Sequence, residues 1–214
     1  MTKRKLISYT VGALLLSALV IGLGISINLS AKSDDIPDEL RGLIKKQAIA
    51  VPTFELIDQY NQPFNVERLK GAWTFVFFGY THCPDVCPLT LTELDNAASR
   101  INELQNPERK IQYVFISVDP GRDTPAQLGD YVSYFGAKFI AATGSEQALK
   151  QLADPLGIKF GRGVGTDTEY LVNHSSTMLL IDPQAQYYAR FRAPHYAEEI
   201  VDGFKKVLTY RERQ

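Results

Sequence analysis

The chain has 214 residues, a formal net charge of -1, 45% hydrophobic and 22% charged residues. These are ordinary globular values. With no basic excess and no recognition motif, the composition excludes nucleic acid as a partner.

The first elements are not globular. "MTKRK" (1–5) is basic, and residues 6–30 then run without a charge. A spanning helix needs roughly 20 apolar residues, whereas a cleavable signal has a core of about 7–15. The run is too long for the second, and Leu29-Ser30-Ala31 is a poor cleavage site. The expected segment is one uncleaved transmembrane helix. The positive-inside rule keeps residues 1–5 in the cytoplasm and exports the rest. No Arg- and Ser-rich transit peptide precedes it, which favours a bacterial membrane. The expected location is the bacterial cytoplasmic membrane, single-pass, with the C-terminal domain in the periplasm.

Residues 31–50 read as a polar tether, and 51–214 as one domain with alternating strands and helices. "TFELIDQYNQPFNVERL" predicts a hairpin turning at Asn61, Gln62 and Pro63. "WTFVFFGY" (73–80) is aromatic and β-branched on both faces, as in a strand buried on both sides. Pro88 is expected to open a helix with Leu91, Leu94, Ala98 and Ile101 inward. A second buried strand covers 111–119, and Thr124-Pro125 starts the next helix. A short strand at 138–142 and a helix from about Ser145 follow. The glycine-rich stretch 157–174 reads as a hairpin or loop excursion. "STMLLID" and "QYYARFR" predict an antiparallel pair turning at 183–185. The last helix carries Ile200, Phe204 and Val207 inward. This order predicts an α/β fold, a thioredoxin-like mixed sheet flanked by helices.

The chemistry concentrates in "GYTHCPDVCP" (79–88), which holds both cysteines, Cys83 and Cys87. In an exported domain two cysteines are by default a disulfide. Cys83, however, follows the carboxyl end of a buried strand, where ligands meet open α/β sheets. The helix start beside it favours thiolate. Three residues separate the pair, where thioredoxin-type oxidoreductases have two. Positions i and i+4 of a helical turn hold their Cβ atoms about 5–6 Å apart, against about 3.8 Å in a disulfide. The spacing can close with adjustment, and it also suits two thiolates on one soft metal. Zinc or iron–sulfur sites want four ligands, so two sulfurs with one imidazole fit copper better. His174, in "YLVNHSSTMLLIDP", lies where a thioredoxin-like sheet brings a loop beside the cysteines. Thioredoxins carry a cis-proline there; this chain has none between Pro155 and Pro183.

Three segments, "GYTHCPDVCP" (79–88), "FISVDPGRDTP" (115–125) and "VNHSSTMLLID" (172–182), together resemble the Sco/SenC family. That family consists of membrane-anchored, thioredoxin-like copper proteins that assist assembly of cytochrome c oxidase. The resemblance implies Cys83, Cys87 and His174 as copper ligands. It implies copper as Cu(I), with Cu(II) as a second state. It also implies as partners the copper-containing subunit of cytochrome c oxidase, and other copper chaperones or thiol reductants. Many members have Asp before the histidine, where this chain has Asn173. His82 reads as a surface or supporting residue, and His195 as structural. Asp85 reads as a loop-bonding or partner-facing residue. Asp119, Arg122 and Asp123 are expected to hold their turn by ion pairs and hydrogen bonds.

The leading expectation is a metallochaperone rather than an enzyme, with copper loading gated by the thiol state of Cys83 and Cys87, because only thiolates ligate. The alternative is a thiol–disulfide oxidoreductase acting on the oxidase subunit or other exported proteins, with the same pair redox-active. The third, a thiol peroxidase, is disfavoured because Thr81 stands only two residues before Cys83.

Overall fold

The computed structural model describes Ser17 and residues 36–103, 109–136 and 138–213. The chain divides into two units, Met1–Ile36 and Pro37–Gln214, and the second is described here. The basic flank (1–5) and the anchor expected over 6–30 lie outside the described residues, apart from Ser17. Among the described residues no helix is long and apolar enough to cross a membrane.

The centre of the fold is β4 (Ala72–Gly79), whose eight residues are all buried. It pairs in parallel with β5 (Lys110–Ser117) from Ala72↔Lys110 to Gly79↔Ser117. Helix α1 (Val86–Glu103) makes the crossover between them. Helix α2 (Pro125–Ser133) leads on to β6 (Phe139–Thr143), which is parallel to β5. The Thr124 side chain accepts from the Gln127 N–H, and Gln127 reaches back to the Thr124 backbone N–H. This is the reciprocal cap that Thr-Pro-x-Gln encodes.

Antiparallel strands complete the sheet. β1 (Ile44–Ala50), β10 (Gln186–Phe191) and β9 (Met178–Ile181) flank β4, while β2 (Glu55–Asp58) and β3 (Pro63–Asn65) extend it beyond β6. The order is β1-β10-β9-β4-β5-β6-β2-β3. The β9–β10 turn falls at 183–185 as expected, whereas the first turn spans 59–62, because Pro63, expected in it, opens β3 and pairs with Ile57. Asn61 takes a left-handed conformation (φ 57°) between β2 and β3, as Asn tolerates.

Alternation along β4 loads both faces. Trp73 and Phe75 pack edge-on to Phe204 of α4 (Ala197–Glu212). Val76 and Phe78 point the other way, among Phe54, Phe64, Leu152 and Leu156. Two-sided burial of aromatic side chains is why this strand reads as continuously apolar. Helix α3 (Glu146–Ala153), capped by Ser145, supplies Leu152 to that second face. A separate two-stranded sheet, β7 (Phe160–Gly165) with β8 (Tyr170–His174), is the glycine-rich excursion.

Two local expectations change. The tether was expected to run to residue 50, but Ile44–Ala50 is an edge strand paired with β10. Its burial is slight: Ile44 is buried and the next three positions are half or fully exposed. An edge strand with lysines looks like a linker from sequence. Pro88 was expected to open α1, but the helix begins at Val86. A proline fits the first turn because the N–H it lacks has no intrahelical partner there.

Candidate metal centre

Cys83 sits in the loop between β4 and α1, and Cys87 lies in the first turn of α1. The Cys83 N–H donates to the Tyr80 carbonyl (3.3 Å), curling the loop back. The Cys87 N–H then donates to Cys83 Sγ at 3.4 Å. A free amide of the helix start is thus aimed at the sulfur, as such termini favour anions. Both cysteines are free thiols, Cys83 partly exposed and Cys87 buried.

His174 is the last residue of β8 rather than a loop residue. Its Nε2 lies 3.5 Å from Cys87 Sγ. Its Nδ1 lies 3.2 Å from the Ser175 carbonyl, which can only accept, so a proton sits on Nδ1. Nε2 is therefore the nitrogen offered toward the sulfurs. The ring stands edge-on to Phe77 (6.1 Å) and Tyr80 (5.8 Å). Cys83, Cys87 and His174 offer one donor atom each, all within 4.8 Å of one another.

Neighbouring turns hold this arrangement. Asp123 is fully buried. Its carboxylate accepts from the Thr81 N–H (2.9 Å), the Thr81 hydroxyl (2.6 Å) and the Ser117 hydroxyl (2.5 Å). That ties the cysteine loop to the end of β5. Asp119 accepts from Arg122 Nε (2.6 Å) and the Tyr170 hydroxyl (2.7 Å). The Arg122 guanidinium lies 3.7 Å from the Tyr170 ring centroid and donates to the Tyr170 carbonyl (2.9 Å). The strand that ends at His174 is thereby clamped to the same turn. The expectation that Asp119, Arg122 and Asp123 hold their loop agrees with these bonds.

The SCO1/SenC family pattern matches residues 44–209. The chain belongs to the SCO1/SenC family. A protein of Stutzerimonas stutzeri named for copper binding is 36% identical over 193 residues, covering 90% of this chain and 92% of its own. The copper-bound ScoI of Arabidopsis thaliana superposes with a TM-score of 0.69 at 35% identity, covering 75% of this chain and 99% of its own. The copper-bound ScoI of Bradyrhizobium japonicum gives 0.65 at 30% identity, covering 74% and 99%. The thioredoxin-like α/β fold expected from the sequence is therefore the SCO1/SenC fold.

Within this SCO1/SenC chain the other expected residues fall outside the cluster of three. His82 is about half exposed (48%), its Nδ1 3.0 Å from the Thr81 hydroxyl and 3.6 Å from Asp123. Asp85 is exposed, and its carbonyl accepts from the Leu89 N–H. His195 is buried and hydrogen-bonded to the Ser176 carbonyl. Residues 175–177 contain no proline, and the cis peptide bond among the described residues is Ala193–Pro194. Asn173 pairs with Gly161 across the small sheet.

Sequence reasoning missed Gly79. A Cβ there would lie 2.7 Å from Cys87 Sγ and 2.8 Å from the Phe115 ring. The missing side chain is what leaves room for the buried sulfur. The readable signal was a glycine closing a buried strand, which often marks a close approach.

The two thiols are electrostatically unlike. The Cys83 pKa is lowered to about 3, first by the hydrogen bond with the Cys87 thiol, and also by those with the Asp85 and Cys87 amides. Burial works against this but does not win. Cys87 is pushed up by the same bond to Cys83 and by its burial. Cys83 is thus the thiolate of the metal-free pair at neutral pH, and Cys87 the donor. An ordinary thiol loses about tenfold in thiolate for each pH unit below its pKa of about 8.5. Alkylation of the reduced protein by iodoacetamide, followed by mass spectrometry, is therefore expected at Cys83 with a nearly flat rate between pH 5 and 8. A rate that climbs with pH like a free thiol would contradict the assignment.

Proposed function

We propose that this chain is a copper-binding metallochaperone that assists assembly of the copper centre of cytochrome c oxidase. In this reading Cys83, Cys87 and His174 hold the metal. The observation that carries it is the convergence of two sulfurs and one imidazole nitrogen within 4.8 Å. Two thiolates and an imidazole are a soft donor set that selects Cu(I), and the nitrogen also suits Cu(II). The copper named in the S. stutzeri relative and bound in the Arabidopsis and Bradyrhizobium structures supports the same metal. Copper is cargo: the partly exposed Cys83 gives it a way in and out, while buried Cys87 anchors it.

Loading is gated by thiol state. Joining the Cys83 thiolate and the Cys87 thiol in a disulfide gives up two electrons and one proton to a partner disulfide, which is released as one thiolate and one thiol, and leaves one imidazole as the remaining donor. The recipient is the copper-containing oxidase subunit, and other copper chaperones or thiol reductants supply copper or electrons. Residues 6–30 anchor the chain in a bacterial cytoplasmic membrane, with 1–5 cytoplasmic and the folded unit from Pro37 onward in the periplasm.

One observation favours a second reading. A low-pKa, accessible Cys83 beside a high-pKa, buried Cys87 is the layout of an attacking and a resolving thiol. On that reading the chain reduces disulfides of the oxidase subunit or other exported proteins. Titration of Cu(I) into the reduced full-length protein against a chromophoric chelator separates the two. The metallochaperone reading expects a single tight equivalent, lost in Cys83→Ser, weakened in His174→Ala, and absent after oxidation to the disulfide. Affinity unchanged in both variants, with rapid turnover of a disulfide substrate by metal-free protein, would replace it with the oxidoreductase.

A further inference from the structure

His195 lies outside the three-donor cluster, yet its contacts lead back to it. The residue is only 8% exposed. Its Nε2 lies 2.8 Å from the Ser176 carbonyl. A carbonyl only accepts, so Nε2 carries the proton and donates, and the ring is fixed in that tautomer. Its Nδ1 has no protein partner among the described residues. A buried imidazole with one nitrogen unsatisfied is retained at a cost, which calls for a return from the other nitrogen.

Ser176 stands two residues past His174, in the short link from β8 to β9. The Ser175 N–H of that link already donates to the Lys159 carbonyl (2.8 Å), and its hydroxyl accepts from the Lys159 N–H (3.0 Å). His195 supplies the next fixed point, at the Ser176 carbonyl. A second route runs through Phe77. Its ring stands edge-on to His195 (6.2 Å, 81°) and also to His174 (6.1 Å, 76°). Displacement of either imidazole is felt by the same phenyl ring.

The segment holding His195 is itself tied to the cysteine helix. The Tyr196 side chain gives α4 no cap. Instead Glu93 of α1 accepts from the Ala197 N–H at 2.6 Å. A carboxylate at a helix start supplies both the missing acceptor and favourable charge. Residues 195–197 therefore bridge α1, which carries Cys87, and the link that follows His174.

We propose that His195 is a positioning residue for His174. Its Nε2–H holds the Ser176 carbonyl so that the His174 imidazole stays against the two sulfurs. The proposal rests on the reading of His174 as the third metal ligand. It goes beyond the structural role expected for His195 from sequence. Partners bonded directly to a metal ligand alter affinity by roughly 10–100-fold when removed, and His195 acts one contact further out, so the low end of that range is expected.

The test compares His195→Gln, whose amide can donate from about the same place as Nε2, with His195→Met, which fills the space without a donor. The metal-free, reduced full-length protein is read first by the NMR signals of the His174 ring. His195→Met is expected to shift them, and His195→Gln to restore them toward the parent. Cu(I) affinity by chelator competition is read second. His195→Met is expected to lose about tenfold, His195→Gln less, and His195→Met to lose nothing further when His174 is already Ala. Unmoved His174 signals, or an equal loss in the His174→Ala background, would overturn the proposal. Should His195→Met not fold, His195→Asn replaces it, because its shorter amide cannot reach Ser176. If His174→Ala alone leaves copper affinity unchanged, the ligand assignment fails, while the NMR comparison still decides whether His195 positions His174.

Discussion

Gly79→Ala is expected to lower both stability and copper affinity, although the residue donates nothing to a metal. The added methyl would stand 2.7 Å from Cys87 Sγ, 2.8 Å from Phe115 and 3.3 Å from Phe77. All three neighbours are fully buried, so none can swing into solvent. Overpacking of this kind costs about 1–3 kcal/mol. For a domain of this size about 2 kcal/mol corresponds to roughly 4–8 °C in Tm. The sulfur is also the contact nearest the new atom, and moving it disturbs the 3.5 Å approach to His174. A loss of about tenfold in Cu(I) affinity is the expected companion effect. Calorimetry and chelator competition on the same preparation check both. Parent-like Tm and affinity would mean that the strand end yields freely, and that Gly79 does not make room for the Cys87 sulfur.

Asp123→Ala is expected to be the more destabilising change. It strips the acceptor from three donors at once: the Thr81 amide, the Thr81 hydroxyl and the Ser117 hydroxyl. Each buried donor left without a partner costs about 1–3 kcal/mol. With Thr81 partly open to water, a total of about 3 kcal/mol is expected, or roughly 6–12 °C in Tm. Because Thr81 begins the turn that presents Cys83, hydrogen exchange should quicken in residues 80–85 more than in β5. A drop below about 1 kcal/mol in chemical denaturation would show that Asp123 is not what holds the loop.

Much of this molecule is legible in the sequence where one physical signal dominates. The buried strands β4 and β5 announce themselves by unbroken aromatic and β-branched runs, and α2 by the Thr124-Pro125 start. The cysteine pair is legible because residue type and spacing carry its chemistry. His174 is harder: a lone histidine gains meaning from the fold that brings β8 to α1, and from the family resemblance. What stays hidden is three-dimensional. Edge strand β1 buries little beyond Ile44, so lysines and glutamine mask it. Asp123 and Thr81 are separated by 42 residues and are joined by the parallel register of β4 with β5. Gly79 matters through a distance that no spacing encodes. The link between His195 and Ser176 depends on how α4 returns over β4, which the local sequence does not specify.

These particulars converge on one claim, that two sulfurs and one imidazole of this chain bind a single copper ion. X-ray absorption spectroscopy of the reduced, Cu(I)-loaded full-length protein tests it most directly. The expected result is a copper edge of the Cu(I) type with two sulfur scatterers and one histidine nitrogen, the imidazole scattering vanishing in His174→Ala. A copper environment without imidazole scattering, or with fewer than two sulfurs, would contradict it.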